Sequence, residues 1–562
     1  MNKPLNLRRN PVQLFYKTLF VMFLIVSVSI SSYALSAAEI EVMLGRMTTD
    51  EKIGQLLLYG IGGREIGPVA EAHITKRRVG GIILYSRNIQ EASQVVALTT
   101  SLQRLAAENP NSIPLFIAVD QEGGIVARLK KGATVLPGNM ALGATRSQDL
   151  AAKTGELTAL ELSAVGINFN CAPVMDVNTN PINPVIGVRS YSETPTLVSQ
   201  LGTAYIQSLQ KNGVLATAKH FPGHGDASLD SHFKLPVIEH SQERIDEIEL
   251  HPFRAAIDSD VAVIMSAHVL YPKLDPEFPA TLSSKILTRL LRQRLGFEGL
   301  IMTDDMEMKA IDDQYEIGNA AVLAIQAGAD IILVSATFKM QQRVFSAIRQ
   351  AVQKKIISPM RLDNSVRRIL YYKSVYGLFD QQKTLLNNPD SIGTEIAIVG
   401  NRQHRDVAQT IANRSITIVK NTENIIPMSA EPKEPVLLLS PSRNFTNAYL
   451  KAHTDLTHIT PVLIPVEVNP EQVASQLLLS KPSKIVAGIV NSEQAKMLHI
   501  LSQKTDVPIV VISHASPYLL SICPDVDCAI AAYDSNYYSL LAAVEVLLGK
   551  KLATGKLPVT LR

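Results

Sequence analysis

Histidines and acids are concentrated in one short segment of the sequence, residues 219–232, which reads KHFPGHGDASLDSH. The Pro-Gly and His-Gly pairs in this segment predict a loop. Near its end Asp230 and His232 are two residues apart, a spacing that points both side chains the same way on an extended chain. The carboxylate can then fix the tautomer of the imidazole, which can protonate a leaving oxygen and later deprotonate water. An ordinary surface loop can contain the same pair, so its spacing alone does not decide its role.

A second candidate is the pair of adjacent carboxylates, Asp304 and Asp305, which follows the apolar stretch 300–303. Like charges at close range disfavour joint ionisation, so at least one of the two is expected to have a task or a cation partner. A carboxylate nucleophile here would attack an anomeric carbon and form a glycosyl-enzyme intermediate. Asp is also a favoured helix N-cap, and a helix is predicted to follow. Both roles can hold, with Asp304 catalytic and Asp305 capping or orienting.

The sequence gives little support for a metal or a disulfide framework. His220 and His224 are four residues apart, but the Pro-Gly pair between them excludes a shared helix face, and no cysteine pair accompanies them. We therefore predict neither a metal site nor a cofactor. Three cysteines are too few for a disulfide-held fold, and whether Cys523 and Cys528 pair or stay free is left open.

The elements that position these residues form an alternating pattern of strands and helices from residue 39 to residue 380. A helix is predicted to begin at Thr48, with Thr48 and Glu51 in capping-box spacing before Ile53, Leu56 and Leu57. Seven apolar runs typical of strands buried on both faces follow. These predicted strands are 81–85, 115–120, 166–170, 215–219, 261–266, 300–303 and 331–335.

About 340 residues with seven or eight such units predict an α/β fold of the (β/α)8 TIM-like barrel type. Polar motifs favour the barrel over an open doubly wound sheet, because each lies at the carboxyl end of a different predicted strand, where barrel enzymes collect their catalytic groups. An open sheet would be expected to have one site at a switch point and often a glycine-rich phosphate turn, and the sequence contains neither a Walker-type nor a dinucleotide motif. The motifs are Asp120, Lys219-His220, His268 and Asp304.

After the barrel, a polar stretch at residues 381–393 predicts a linker. The remaining residues, 394–562, again alternate between strand and helix patterns and predict a smaller three-layer αβα sandwich domain. The predicted strands are 436–439, 484–490, 508–513 and 528–532, and the predicted helices lie near 406–413, 471–479 and 539–548.

Residues 1–38 have the layout of a secretory signal peptide, with a basic start, an apolar run over residues 19–30 and small residues before Glu39. The run is shorter than the roughly 20 residues that span a bilayer, which favours a cleaved signal over an anchor. We expect export to the periplasm, the cell wall or the extracellular space, without a stable membrane span. Removing the four positive charges of this segment changes the formal net charge from +3 to −1, which does not favour a nucleic-acid partner.

Taken together, segments 219–232 and 303–306 resemble glycoside hydrolase family 3, in particular its bacterial β-N-acetylglucosaminidase branch. Further matches are VDQEGG at 119–124, APVMDVN at 172–178 and NPVIGVRSY at 183–191. These long, ordered motifs run through essentially the whole barrel, and residues 412–421 and 555–559 resemble the second domain of the family. The resemblance implies the barrel followed by the smaller αβα domain, as in the two-domain exported members.

The resemblance also implies roles for the residues at matching positions. Asp304 corresponds to the nucleophile, and Asp230 with His232 corresponds to the acid/base dyad on a mobile loop. The residues implied to bind the sugar are Asp120, Arg128, Arg189, Lys219 and His220. A carboxylate can accept hydrogen bonds from a sugar diol, and Lys and Arg donate to hydroxyls and stay charged.

Several of these residues have a second interpretation. Arg128 can equally be part of an ion pair at the barrel rim, and His268 can support the site without contacting the sugar. His224 is expected to shape its loop, and Asp176 to hold its loop by backbone hydrogen bonds. Relatives often carry Arg directly after the Gly-Gly of the first motif, where this chain has Ile125, so any contact made by that Arg is absent or supplied elsewhere.

The implied activity is that of a retaining exo-β-N-acetylglucosaminidase, working as a monomer on glycans. Peptidoglycan fragments are the favoured substrate, and chitin oligosaccharides present the same terminal sugar. Three alternatives stay open: a family 3 β-glucosidase or β-xylosidase, which would lack the Asp230–His232 loop; a β-N-acetylglucosaminide phosphorylase, because a histidine does not repel phosphate as a carboxylate does; and an inactive carbohydrate-binding cell-wall protein.

Overall fold

The first part of the chain forms a barrel of eight parallel strands, in the order β7-β6-β5-β4-β3-β2-β1-β8. The computed structural model describes residues 34–388, 391–429, 433–465, 467, 469, 471 and 481–561. A bridge between Met302 and Ile331 brings β7 beside β8 and nearly closes the barrel. The strands are β1 (Leu57–Gly60), β2 (Gly81–Leu84), β3 (Phe116–Val119), β4 (Phe169–Asn170), β5 (Leu215–Phe221), β6 (Val263–Ser266), β7 (Leu300–Thr303) and β8 (Ile332–Val334).

Helices surround these strands and cover their outer face. Every barrel strand is buried along its whole length, because side chains on one face fill the barrel and those on the other pack under the helices. The α-helices are Ala37–Arg46, Thr49–Gln55, Pro68–Thr75, Ala92–Ala107, Asn139–Thr145, Gln148–Ala164, Pro195–Lys211, Gln242–Arg244, His251–Asp258, Lys309–Asp312, Ile317–Ala327, Phe338–Gln353, Pro359–Val375 and Leu378–Asn387. Ile245–Glu249 and Lys285–Arg294 are π-helical.

The predicted barrel is confirmed, and its one missed strand is β1. The capping box is present as predicted: Glu51 N–H donates to Thr48 Oγ1 (3.3 Å) and Thr48 N–H donates to Glu51 Oε2 (2.7 Å). The helix nevertheless ends at Gln55, and β1 begins at Leu57 between β2 and β8. A short apolar run fits both a buried helix and a buried strand, so the pattern alone does not separate the two.

The second domain is built on a six-stranded sheet with the order β11-β10-β12-β13-β14-β9, parallel except for β9. Along β10, Leu437 and Leu439 belong to one apolar cluster and Val436 and Leu438 to another, so both faces of the sheet are covered and the predicted three layers are present. The strands are β9 (Thr417–Asn421), β10 (Val436–Ser440), β11 (Ile459–Leu463), β12 (Lys484–Ile489), β13 (Ile509–Ser513) and β14 (Cys528–Ala531), and the main helices are Arg402–Ser415, Arg443–Ala452, Ser492–Ser502 and Tyr537–Leu547.

Two strands of this sheet, β9 and β11, were not predicted. Both are edge strands whose side chains are mostly half-buried or exposed, unlike the four predicted strands. An edge strand with a solvent-exposed face need not be an apolar run, which is the signal that found the other strands. The predicted helix 471–479 lies outside the described residues except for Glu471.

The structure describes only part of the predicted linker and of the predicted signal peptide. Helix Leu378–Asn387 occupies more than half of the predicted linker 381–393, and residues 389–390 lie outside the described residues. The predicted signal peptide lies outside them up to residue 33, and a helix capped by Ser36 begins at Ala37. No helix in the described ranges is long and apolar enough to cross a membrane. Cys171, Cys523 and Cys528 are buried free thiols.

Candidate active site

The carboxyl ends of the barrel strands bring the predicted residues together, beginning with Asp120 after β3 and Lys219 in β5. Lys219 Nζ lies 2.9 Å from Asp120 Oδ1 and 2.6 Å from Glu122 Oε1. Burial opposes the charge on this lysine, but the two carboxylates outweigh it and raise the pKa of Lys219. The cation is therefore permanent, and it holds Asp120 in place at the barrel mouth.

Glu122 is the main member of the site that the sequence interpretation left without a role. It is buried and accepts two hydrogen bonds from Arg189, from Nε (2.9 Å) and Nη2 (2.8 Å). Burial alone would raise the pKa of Glu122, but Arg189 and Lys219 hold it well below its usual range. A third donor of Arg189, Nη1, bonds to the carbonyl of Val185 (3.1 Å), so all three guanidinium nitrogens are engaged by the protein itself. The only advance signal was the position of Glu122 in the Asp-Gln-Glu-Gly-Gly motif.

Arg128 lies at the rim of this network and is half-buried. Its Nη2 is 3.9 Å from Asp120 Oδ2, and its backbone N–H donates to Gln121 Oε1 (2.8 Å). Its buried Nε has no hydrogen-bond partner in the described part of the chain. The structure thus contains the rim ion pair that was one interpretation of Arg128.

Asp176 holds His220 and the loop that follows β5. Its Oδ1 accepts the backbone N–H groups of His220 (3.1 Å) and His224 (2.7 Å), and its Oδ2 lies 2.7 Å from His220 Nδ1. These backbone bonds hold the segment after β5, whereas the prediction was that Asp176 holds its own loop after β4. Burial opposes ionisation of this carboxyl, but the neighbouring His220 lowers the pKa of Asp176 below its usual value. Because Nδ1 is engaged, Nε2 is the ring nitrogen of His220 that is available to a substrate.

Asp304 and Asp305 have different surroundings although they are adjacent. Asp305 Oδ1 accepts the backbone N–H groups of Glu307 and Ser335 (3.2 Å each), which ties the loop after β7 to the loop after β8. Burial raises the pKa of Asp305 to about 6. The carboxylate of Asp304 accepts only the N–H of Asp305 (2.8 Å) among the described residues. Burial disfavours its charge, but His220 and His268 outweigh burial and lower the pKa of Asp304.

His268 supports the turn between these two acids. Its Nε2 donates to the carbonyl of Asp305 (3.0 Å), and its Nδ1 lies 2.8 Å from Thr281 Oγ1. Burial lowers the pKa of His268 below its ordinary value. With both nitrogens engaged by the protein, His268 fits the interpretation in which it supports the site without contacting the sugar.

Asp230 and His232 form the predicted pair on a loop at the same end of the barrel. Asp230 Oδ1 accepts from the backbone N–H of His232 (2.8 Å) and from its Nδ1 (2.8 Å). The carboxylate therefore fixes the proton on Nδ1, and Nε2 is the nitrogen free for proton transfer. The His232 side chain is 59% exposed. Between the two, the backbone carbonyl of Ser231 accepts the N–H of Ala310 (3.3 Å), so the loop contacts the segment that follows the Asp304–Asp305 turn.

Across the described ranges, no three His, Cys, Asp or Glu side chains are grouped so that they could hold a metal ion. The site instead consists of cations and carboxylates that can hydrogen-bond to hydroxyl groups, one ionised carboxylate without a strong partner, and one oriented histidine. Such a site can bind a hydroxyl-rich ligand and offers one candidate nucleophile and one candidate proton-transfer group.

Comparisons with known proteins show which family the chain is similar to. Residues 48–372 match the glycosyl hydrolase family 3 N terminal domain. The beta-hexosaminidase A of Pseudoalteromonas piscicida is 33% identical over 550 residues, which cover 87% of this chain and 90% of the relative. Among solved structures, the family 3 beta-N-acetylglucosaminidase from Paenibacillus sp. str. FPU-7 is 38% identical with a TM-score of 0.84, covering 92% of this chain and 99% of that one.

A beta-glucoside phosphorylase, BglX, is 25% identical with a TM-score of 0.80, covering 95% of this chain and 98% of its own. All three likenesses span both domains, whereas the family match covers the barrel and its surrounding helices. With more than half of its residues in that match, the chain belongs to glycosyl hydrolase family 3.

Proposed function

We propose that the protein is a retaining exo-β-N-acetylglucosaminidase that releases terminal β-linked N-acetylglucosamine. One observation carries the proposal: Asp304, a carboxylate with a lowered pKa and no side-chain hydrogen-bond partner among the described residues, lies at the barrel mouth, and the Asp230–His232 loop contacts the segment that follows it through the Ser231 carbonyl and the Ala310 N–H. Full-length relatives named beta-hexosaminidase and beta-N-acetylglucosaminidase support the choice of sugar.

In the first step Asp304 attacks the anomeric carbon, and the bond from that carbon to the leaving oxygen breaks. His232 Nε2 gives its proton to the leaving oxygen, while Asp230 stabilises the imidazolium through Nδ1. In the second step the neutral His232 takes a proton from water, whose oxygen attacks the same carbon and releases Asp304. The atoms balance: one water is consumed, and both residues return to their starting states.

The sugar is held by the residues around Lys219. Asp120 accepts hydrogen bonds from a diol, Arg128 brings its guanidinium to the rim beside Asp120, and His220 Nε2 is open to the ligand because Asp176 engages Nδ1. Arg189 acts differently in this proposal, because its bidentate bond to Glu122 makes it chiefly a support for Lys219 and the loop 119–124.

The nucleophile assignment is tested by a matched pair of variants. Asp304→Asn should lower kcat for a chromogenic N-acetylglucosaminide by about 10³-fold or more, because the covalent step is lost. Asp305→Asn removes the same charge but keeps an oxygen for the N–H groups of Glu307 and Ser335, so a much smaller loss is expected. Equal losses in both variants would remove Asp304 from the proposed role.

Phosphorolysis is the second candidate, favoured by the likeness to a phosphorylase and by an acid/base histidine that carries no negative charge. Product analysis with and without inorganic phosphate distinguishes the two. We expect free N-acetylglucosamine in both cases, and sugar 1-phosphate as the main product would show phosphorolysis instead.

For the natural substrate we propose peptidoglycan fragments, met after export, with chitin oligosaccharides as the alternative. Both end in the same sugar, so the choice depends on the leaving group. Comparing kcat/KM for an N-acetylglucosaminyl-N-acetylmuramic acid fragment and for chitobiose decides between them.

A further inference from the structure

Ser231 lies between the two members of the dyad but faces the protein interior. It belongs to the acid/base loop, defined here as residues 226–240. The side chain of Ser231 is buried, with 2% of its surface exposed, whereas Asp230 is half-buried and His232 is exposed. On this loop Ser228 and Leu229 before the dyad and Phe233 after it are exposed as well. Ser231 is therefore the point at which the middle of the loop contacts the body of the barrel.

Two contacts hold Ser231 there. Its Oγ lies 3.0 Å from His224 Nε2, in a hydrogen bond whose donor depends on the tautomer of the histidine. Its backbone carbonyl accepts the N–H of Ala310 (3.3 Å), just after the Asp304–Asp305 turn. The side-chain bond is one that a single substitution can remove without changing either member of the dyad.

His224 is a rigid partner for this serine. It is buried, its N–H donates to Asp176 Oδ1 (2.7 Å), and its carbonyl accepts Asn183 Nδ2 (2.8 Å). Its ring packs edge-on against His220 with 5.8 Å between centroids. Burial and the nearby His220 lower the pKa of His224 to about 4, so the ring stays neutral at working pH.

The carboxylate of Asp176 therefore holds two histidines that have different tasks in the site. Asp176 orients the ring of His220, which faces the sugar in the proposed function, and it also anchors His224, which holds Ser231. Beyond these middle contacts, the acid/base loop is held mainly at its ends, through the Asp226–His240 pair and through the backbone bonds that Pro236 and Ile238 make to Leu270.

We infer that His224 and Ser231 are positioning residues for the acid/base step. Their hydrogen bond acts as a latch: it fixes the middle of the acid/base loop and so keeps His232 Nε2 within reach of the leaving oxygen. The inference rests on the proposed function, because it assumes that His232 transfers the proton. A displacement of about 1 Å at a reacting group can cost about 10²-fold in rate, so one hydrogen bond is enough to matter.

The test is the leaving-group dependence of Ser231→Ala. Unlatching should lower kcat/KM for chitobiose, which needs acid assistance, by about 10-fold to 100-fold. A 4-nitrophenyl N-acetylglucosaminide has a good leaving group and should lose only a few-fold. Ser231→Thr keeps the hydroxyl and should recover most of the chitobiose activity, and the exposed control Ser228→Ala should match the wild type on both substrates. Equal losses on both substrates, or no loss, would overturn the latch.

A double-mutant cycle with His224→Ala tests the pairing itself. If the two side chains act through one hydrogen bond, the double variant should lose no more chitobiose activity than the worse single variant, whereas additive losses would contradict the pairing.

His232→Ala separates the latch from the function on which it rests. If His232→Ala itself shows no leaving-group dependence, the acid assignment is wrong; if it does and Ser231→Ala does not, only the latch is wrong. Thermal unfolding of each variant identifies losses caused by misfolding.

Discussion

Single residues in this site obtain their roles from their partners rather than from their type. Asp304 and Asp305 are identical and adjacent, yet two backbone N–H groups occupy Asp305, while the histidines around Asp304 keep it ionised and without a strong partner. The sequence separated the two only by family position. The structure adds a physical reason, because a carboxylate that ties two loops together cannot also swing toward an anomeric carbon.

A different residue-scale effect occurs in the second domain, where His514 is fully buried. Neither of its ring nitrogens has a partner among the described residues, and its ring packs against Phe445 with 4.5 Å between centroids. Burial lowers the pKa of His514 to about 3, below its usual value. The unfolded chain therefore binds a proton at a pH where the native chain does not, and stability falls as the pH falls from about 6.5 toward 3.

His514→Leu should remove the contribution of His514 to the pH dependence of the free energy of unfolding. Between pH 6 and pH 4 the unfolding free energy of the variant should fall less steeply than that of the wild type, by up to about 1.4 kcal/mol per pH unit. Urea unfolding monitored at several pH values measures the slope. His458→Leu replaces an exposed histidine of the same domain and should leave the slope unchanged. Parallel slopes for wild type and His514→Leu would show that His514 does not cause the effect.

At the scale of elements, the acid/base loop is closed at its base by a second pair. Asp226 Oδ2 lies 2.5 Å from His240 Nε2, and Asp226 Oδ1 accepts Thr179 Oγ1 (2.7 Å). Asn180 Nδ2 donates to the carbonyls of Asp226 and Ala227 at 3.3 Å each. These contacts join the two ends of the loop to each other and to the neighbouring loop after β4.

Asp226→Asn should loosen the whole acid/base loop, because it keeps the shape of the side chain but removes the charge that pairs with His240. We expect faster amide hydrogen exchange over residues 228–235, with the barrel strands unchanged. Glu239→Gln, at an exposed acid next to His240, is the matched control. Exchange that is equally slow in wild type and Asp226→Asn would mean that the base of the loop is held by backbone contacts alone.

For the whole molecule, the second domain supports the part of the barrel that we propose binds the sugar. Asp534, just after β14, accepts the N–H of Gly138 (3.1 Å), and the next residue, Asn139, donates from Nδ2 to the carbonyl of Arg189 (2.7 Å). A Cβ on Gly124 would lie 3.4 Å from Asp534 Oδ2, so the loop that carries Glu122 rests directly on this carboxyl. Met140 and Ala144 join the apolar core of the second domain.

Asp534→Ala should therefore weaken sugar binding from a distance. We expect KM to rise about tenfold, equivalent to about 1.4 kcal/mol, with a smaller change in kcat and no leaving-group dependence. Asp506→Ala, at an exposed acid of the same domain, should behave as the wild type. A change confined to kcat, or the leaving-group dependence expected of the latch, would contradict a role in supporting the sugar site.

The sequence by itself determined the fold class, the order of the fully buried strands other than β1, and the candidate site residues. Most strands buried on both faces are apolar runs that the sequence predicted. The edge strands β9 and β11 were missed because their side chains are mostly half-buried or exposed. Strand β1 was missed because a short apolar run fits a buried helix as well as a buried strand. The motifs in chain order identified the family, and all eight predicted site residues lie at the carboxyl end of the barrel or on the loops that surround it.

Only the tertiary structure decided which of these residues touch. Glu122 and Arg189 are 67 residues apart in the chain, His220 and Asp176 are 44 apart, and Asp534 and Gly138 are 396 apart. Even the seven-residue pairing of His224 with Ser231 depends on the loop turning one side chain inward between two that face outward. Local sequence patterns report backbone shape and burial. Hydrogen-bond partners depend instead on which strand ends and loops, distant in the chain, lie next to each other in the folded barrel.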